Sequence, residues 1–264
     1  MGERASCSPG RRGLNTRGRW DGMFTIARLN WPFYSAAIFV LIASFGVSFV
    51  VATVALKIAC GAALAGAAWF LAGSLVASHL IYDQSDLYRW GWLERALRGV
   101  NMRQAIFCHC GFDEASMELR KVFGNVQWQV LDHFDAEQMT EPSIRRARAM
   151  FPPTPSTLTS RYDAWPVAPD STDVVFGLLA IHELRAEAER SAWFAESRRC
   201  LRKSGRVVLV EHVRDAANFL VFGPGFLHFH SPAEWRRCWE SAGLRSIDEF
   251  RVTPFVRIFV LSVP

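Results

Sequence analysis

From Pro32 to Ile81 apolar residues follow one another almost without a break, with Lys57 the only formal charge and His79 the only other titratable side chain apart from Tyr34 and Cys60. About fifty helical residues would extend roughly 75 Å, whereas the hydrocarbon core of a bilayer is about 30 Å thick and needs about 20 residues per crossing. The pattern predicts two transmembrane helices, Tyr34 to Leu56 and Ile58 to Leu80, turning near Lys57, Cys60 and Gly61. Small residues in the second span, from Gly61 to Ala68 and from Ala72 to Ser74, would let the two backbones approach closely, which is how helices pair in lipid. A signal peptide fits poorly, because the apolar run begins beyond residue 30 and is too long.

Beyond the hairpin the period changes. Leu87, Trp90, Leu93 and Leu97 lie at helical spacing and predict an amphipathic helix at Asp86–Leu97, so residues 82–99 read as a linker at the membrane interface. Short apolar runs then alternate with helical segments: strands at Gln104–Cys110, Gln127–Leu131, Asp173–Ala180 and Arg206–Glu211, and helices at Ser116–Phe123, Ser143–Met150 and Ala186–Leu201. Residues Phe151–Ser160, rich in proline and threonine, read as a loop. Such alternation predicts an α/β fold with a parallel sheet covered on both faces, a doubly wound, Rossmann-like arrangement. The chain closes with a helix capped at Ser231-Pro232-Ala233-Glu234 and two strands, Ser246–Arg251 and Phe255–Val263, close enough to form an antiparallel hairpin.

Charge adds topology to this picture. Of the net +5, residues 1–31 hold +4, from six arginines against Glu3 and Asp21, and Lys57 holds +1, so residues 82–264 sum to zero. A nucleic-acid module needs a dense basic surface, and no such excess exists outside the tail. Arginine before the first span retains that end on the cytoplasmic side. Residues 1–31 thus read as a basic cytoplasmic tail and 32–81 as a hairpin in the inner (cytoplasmic) membrane, with both termini inside. Trp20, Trp31, Phe33 and Tyr34 before the hairpin, and Tyr82, Tyr88, Trp90 and Trp92 after it, suit an interfacial aromatic belt. The six cysteines are scattered and read as reduced thiols. Cys108-His109-Cys110 is set aside as a metal site, because strand alternation separates His109 from the two thiols and no second cysteine pair follows.

The run Trp165-Pro166-Val167-Ala168-Pro169-Asp170-Ser171-Thr172-Asp173-Val174-Val175 and the run Phe194 to Val208, with Arg199, Leu201, Lys203 and Gly205, are characteristic in combination. With the terminal hairpin, they make residues 100–264 resemble the class I S-adenosylmethionine-dependent methyltransferases. The resemblance implies S-adenosylmethionine as cofactor, bound at the turn after the first strand. That turn reads Phe107-Cys108-His109-Cys110-Gly111-Phe112-Asp113, where the family usually writes an acid and three glycines; Gly111 alone keeps the glycine pattern, and His109 and Asp113 stand at the flanking glycine positions. Asp132 matches the carboxylate that accepts the ribose hydroxyls, and Asp163 the group that reads the adenine amine.

His182 and Glu183, just after the predicted strand Asp173–Ala180, stand where this family places residues that face the substrate. An imidazole titrating near neutrality can take a proton from a nucleophile as methyl transfer proceeds; alternatively, Glu183 caps the next helix and His182 sits in the core. Glu211-His212 repeats the arrangement at the end of the predicted strand Arg206–Glu211. Residues 218–230, aromatic and broken by Gly223-Pro224-Gly225, occupy the insertion where class I enzymes build substrate covers. Two functions from different classes follow. One is a membrane-anchored methyltransferase acting on a lipophilic small molecule, such as a quinone, isoprenoid or lipid-like acceptor. The other is a methyltransferase-like subunit or scaffold without catalysis, its hairpin packed against partners in a membrane complex. A nicotinamide oxidoreductase fits less well, since no G-x-G-x-x-G follows the first strand.

Overall fold

A computed structural model describes residues 18–264, so Arg4, Arg11, Arg12 and Arg17 of the basic tail lie outside the described residues. Residues 18–31, expected as tail, contain a helix, α1 (Asp21–Leu29). Two long apolar helices follow, α2 (Trp31–Val50) and α3 (Val54–Ser78), with α3 continuing through a π turn at His79–Gln84. At 1.5 Å per residue the 20 residues of α2 extend about 30 Å, so by length and composition both helices are able to cross a membrane.

The hairpin turns earlier than expected, at residues 51–53, and Lys57 lies in the first turn of α3 rather than in the loop. Val51 and Thr53 are both extended (ψ 132° and 140°), which ends α2 before the residues that the apolar pattern had placed in it. The small residues also divide differently. Ala37 of α2 and Ala67 of α3 are buried, whereas Gly61 and Gly66 face open space.

Residues 85–92 form turns and only α4 (Leu93–Ala96) is helical, so the expected interfacial helix is absent. Trp90 adopts a left-handed φ of +64°, which no α-helix tolerates, and the Trp92 indole donates to the Leu87 carbonyl (2.9 Å). Tyr88, Trp90 and Trp92 are buried against one face of the sheet rather than at a membrane surface.

The sheet contains β1 (Gln104–His109), β2 (Gln127–Asp132), β3 (Thr157–Thr159), β4 (Thr172–Leu178), β5 (Leu201–His212), β6 (Arg245–Thr253) and β7 (Val256–Ser262), in the order β3-β2-β1-β4-β5-β7-β6. β1 to β5 are parallel and β7 is antiparallel to both β5 and β6. Between them run α5 (Ser116–Val122), α6 (Pro142–Met150), α7 (Glu187–Cys200), α8 (Ala216–Phe222) and α9 (Pro232–Ser241). β4 is buried at all seven positions because layers cover both faces, as its continuous apolar run demands. β3 pairs with β2 through residues expected to be loop, a three-residue edge strand too short to show a period. Strand order reverses between β1 and β4, the place where open α/β sheets bind ligands.

Candidate functional site

The carboxyl ends of β1, β4 and β5 open into a cavity of about 650 Å³. Its floor carries Cys110 and Phe112 after β1, Ala180, His182 and Glu183 after β4, and His212 at the end of β5. Its far wall is the inner end of the hairpin: Ile26 and Leu29 of α1, Phe33 and Tyr34 of α2, Phe70 and Ser74 of α3. Phe222 of α8, with Pro224, Gly225, His228 and Phe229 from the turn that follows, closes the remaining side. The aromatic insertion thus covers the cavity, and α8 is tied to the hairpin by the Trp69 indole, which donates to the Leu220 carbonyl (2.6 Å).

His182 and Glu183 meet at the centre of a charged cluster. Glu211, fully buried, accepts the backbone N–H groups of Ile181 (2.9 Å) and His182 (3.2 Å), and its second oxygen lies 2.6 Å from His182 Nδ1. Glu183 Oε1 lies 3.4 Å from His182 Nε2 and 3.5 Å from His228 Nε2, and Glu141 at the start of α6 lies 3.0 Å from His228 Nδ1. Burial disfavours a charged His182, but the Glu211 and Glu183 carboxylates outweigh it and push its pKa up to about 10. Burial likewise opposes the charge on Glu183, and the two imidazoles override it, holding that carboxyl well below its usual range. The two carboxylates thus favour the charged form of His182. His212 behaves oppositely: its Nδ1 donates to the Phe255 carbonyl (3.0 Å), and burial lowers its pKa to about 4.

The residues expected to hold a cofactor lie one strand away. Gly111 has φ +93°, and a Cβ there would stand 2.8 Å from the Phe134 ring, so the turn after β1 requires glycine at this position. Its N–H donates to Asp132 (3.0 Å) and to His109 Nδ1 (3.2 Å). Asp132 also accepts the Phe134 N–H (3.0 Å), and its other oxygen is held by Arg148 of α6, whose guanidinium lies over the Phe134 ring. Asp132 is therefore at the expected strand end but almost fully enclosed. Asp113 accepts from the N–H groups of Ala115 (3.2 Å) and Ser116 (2.9 Å) and from the Ser116 hydroxyl, fastening the start of α5.

Asp163 departs from expectation: it is exposed, paired with Arg161 (2.7 Å), and lines neither this cavity nor a smaller one nearby. That second cavity, about 170 Å³, is lined instead by His133, Met139, Tyr162 and Leu184 among others. His133 stacks on Trp165, its Nδ1 donates to the Ser160 carbonyl (2.9 Å), and its Nε2, like His109 Nε2, is buried with no hydrogen-bond partner among the described residues. Four contributors carried no mark of function in the sequence: His133, Glu141, Arg148 and His228. Only the position of His228 inside the aromatic insertion could have singled it out.

No family model and no curated protein matches the chain. Solved structures do. The mitomycin 7-O-methyltransferase MmcR superposes with a TM-score of 0.52 at 14% identity, over 95% of this chain and 74% of that one. A SAM-dependent methyltransferase from Aquifex aeolicus aligns with a TM-score of 0.48 at 16% identity, over 65% of this chain and 87% of that one. A SAM-dependent methyltransferase from Leishmania major gives 0.46 at 12%, over 87% and 83%. At such identities the likeness concerns the fold: residues 104–262, with the strand order β3-β2-β1-β4-β5-β7-β6 and an antiparallel β7, have the fold of the class I methyltransferases.

Proposed function

We propose that this chain is a membrane-anchored S-adenosylmethionine-dependent methyltransferase acting on a lipophilic small molecule of quinone, isoprenoid or lipid-like kind. The observation that carries the reading is the 650 Å³ cavity, which runs from the strand ends to the inner end of an apolar hairpin. Phe33, Tyr34 and Phe70 line it at the end of the helices nearest the domain, and the outward faces of α2 and α3 are apolar and exposed. A lipid-phase molecule could enter at that level without passing through water.

The residues present fit S-adenosylmethionine beside this cavity. Gly111 marks the turn after β1, Asp132 stands at the end of the neighbouring strand, and His133, which lines the smaller cavity, has a buried Nε2 with no hydrogen-bond partner among the described residues. When bound, the cofactor supplies a sulfonium methyl group to a nucleophile. The chain's own contribution is then positioning and exclusion of water. Asp132 would accept ribose hydroxyls; its second oxygen is held by Arg148, a partly exposed side chain on α6. Phe222, Phe229 and the hairpin hold an apolar acceptor, while His182 and Glu183 present charged hydrogen-bonding groups to its reactive end.

A second reading, a non-catalytic subunit of a membrane complex, is favoured by one observation: Asp132 is already satisfied by Gly111, Phe134 and Arg148. Calorimetry with S-adenosylmethionine on the full detergent-solubilised chain, followed by methyl transfer from radiolabelled cofactor into a membrane lipid extract, separates the two. The enzyme reading expects binding that Asp132→Ala weakens at least about tenfold, together with label in the organic phase. No binding at millimolar cofactor leaves the subunit reading.

A further inference from the structure

We propose that His182, Glu183 and His228 form a binding site for one divalent transition-metal ion, of the kind that zinc represents, opening onto the large cavity. The inference is independent of methyl transfer. One nitrogen from each imidazole and one carboxylate oxygen converge, all within 4.8 Å of one another. Glu183 Oε1 is 3.4 Å from one Nε2 and 3.5 Å from the other. Two ligands at zinc distances of about 2.0–2.1 Å, separated by a tetrahedral angle, stand about 3.4 Å apart. The spacing along these two edges is thus the spacing such an ion imposes.

The surroundings strengthen the assignment. A histidine that ligates a metal usually has its other ring nitrogen on a carboxylate, which sets the tautomer and aims the free nitrogen. Both histidines here have that arrangement: His182 Nδ1 faces Glu211 at 2.6 Å and His228 Nδ1 faces Glu141 at 3.0 Å. Both therefore turn Nε2 toward the same Glu183 oxygen. Glu211 is itself anchored by the backbone of residues 181 and 182, so the inner half of the site is rigid. Two imidazoles and a carboxylate form a donor set that suits zinc and ferrous iron and is poor for calcium or magnesium. All three side chains line the cavity, so further coordination positions face the space where a substrate would lie.

The test uses the full chain without an affinity tag, solubilised in detergent, stripped with chelator and titrated with Zn²⁺ and, separately, Co²⁺. The proposal expects one ion per chain, with visible d–d bands for Co²⁺, and affinity reduced at least about tenfold in His228→Asn and in Glu183→Gln. Glu141→Gln, which alters only the outer carboxylate, should weaken binding by about tenfold, the lower end of such effects. His228 lies in a partly exposed turn, so its variant keeps the fold and decides the matter if Glu183→Gln is unstable. Absence of stoichiometric binding, or binding to His228→Asn as tight as to the parent chain, overturns the proposal and leaves these residues as an ion-pair cluster.

Discussion

Asp132 and Gly111 illustrate what single residues decide in this protein. One carboxylate gathers the turn after β1, the turn after β2 and a helix side chain, and one glycine leaves room for Phe134. Gly111→Ala should cost about 1–3 kcal/mol, since it adds a strained left-handed φ to a Cβ that meets an aromatic ring; thermal melting checks this, and an unchanged midpoint refutes it. The buried histidines set an acid limit. Burial holds His133 and His212 near pKa 4, whereas unfolded histidine takes its proton near 6.5. The unfolded chain binds more protons between those values, so the contribution of these two histidines is complete above about pH 6.5 and falls towards pH 4, by up to about 1.4 kcal/mol per pH unit for each group. His133→Gln should make the decline in melting temperature with acid shallower; an identical slope excludes His133 as a source. The positions of Gly111, Asp132 and His182 at strand ends were legible in the sequence, because strand period and turn residues are local. Their partners were not: Arg148 reaches Asp132 from 16 residues away and Glu211 reaches His182 from 29.

Among the elements, α1 shows how a segment outside any motif becomes part of a site. Asp83, in the π turn that ends α3, accepts the N–H groups of Gly22 (2.7 Å) and Met23 (3.1 Å) and so satisfies the start of α1 from 61 residues away. The two backbones approach closely enough that a Cβ on Gly22 would stand 2.4 Å from that of Tyr82. Asp83→Ala should release α1, with faster hydrogen exchange at Gly22 and Met23 and a loss of about 1 kcal/mol. Protection unchanged at those amides would mean that helix packing alone holds it. Strands β1, β2, β4 and β5 and helices α7 and α9 were readable because apolar period and capping residues agree there; α9, for instance, has Ser231 and Glu234 closing a capping box. The linker at 85–92 was misread because Leu87, Trp90 and Leu93 fit a helical period, yet they are apolar in order to fill one face of the sheet.

For the whole molecule, the hairpin and the α/β domain share one cavity, and the proposed topology follows from charge. If α2 and α3 cross a membrane, the turn at residues 51–53 lies on the side opposite the domain. An Ala52→Cys variant in intact cells should then react with a membrane-impermeant maleimide, whereas labelling only after lysis would reverse the orientation. What the sequence by itself determined was the list of parts: an apolar hairpin, a parallel sheet ending in an antiparallel pair, and acids and imidazoles at strand ends. Periodicity, charge and turn chemistry act over a few residues and can be read there. Tertiary structure alone decided which of those groups meet. It withdrew Asp163 to the surface, enclosed Asp132 beneath Arg148, and brought Glu141, Glu183, Glu211, His182 and His228 together from four separate segments. The physical reason is that burial makes each such charge costly unless another charge or a backbone donor reaches it, and the packing of distant elements determines which one does.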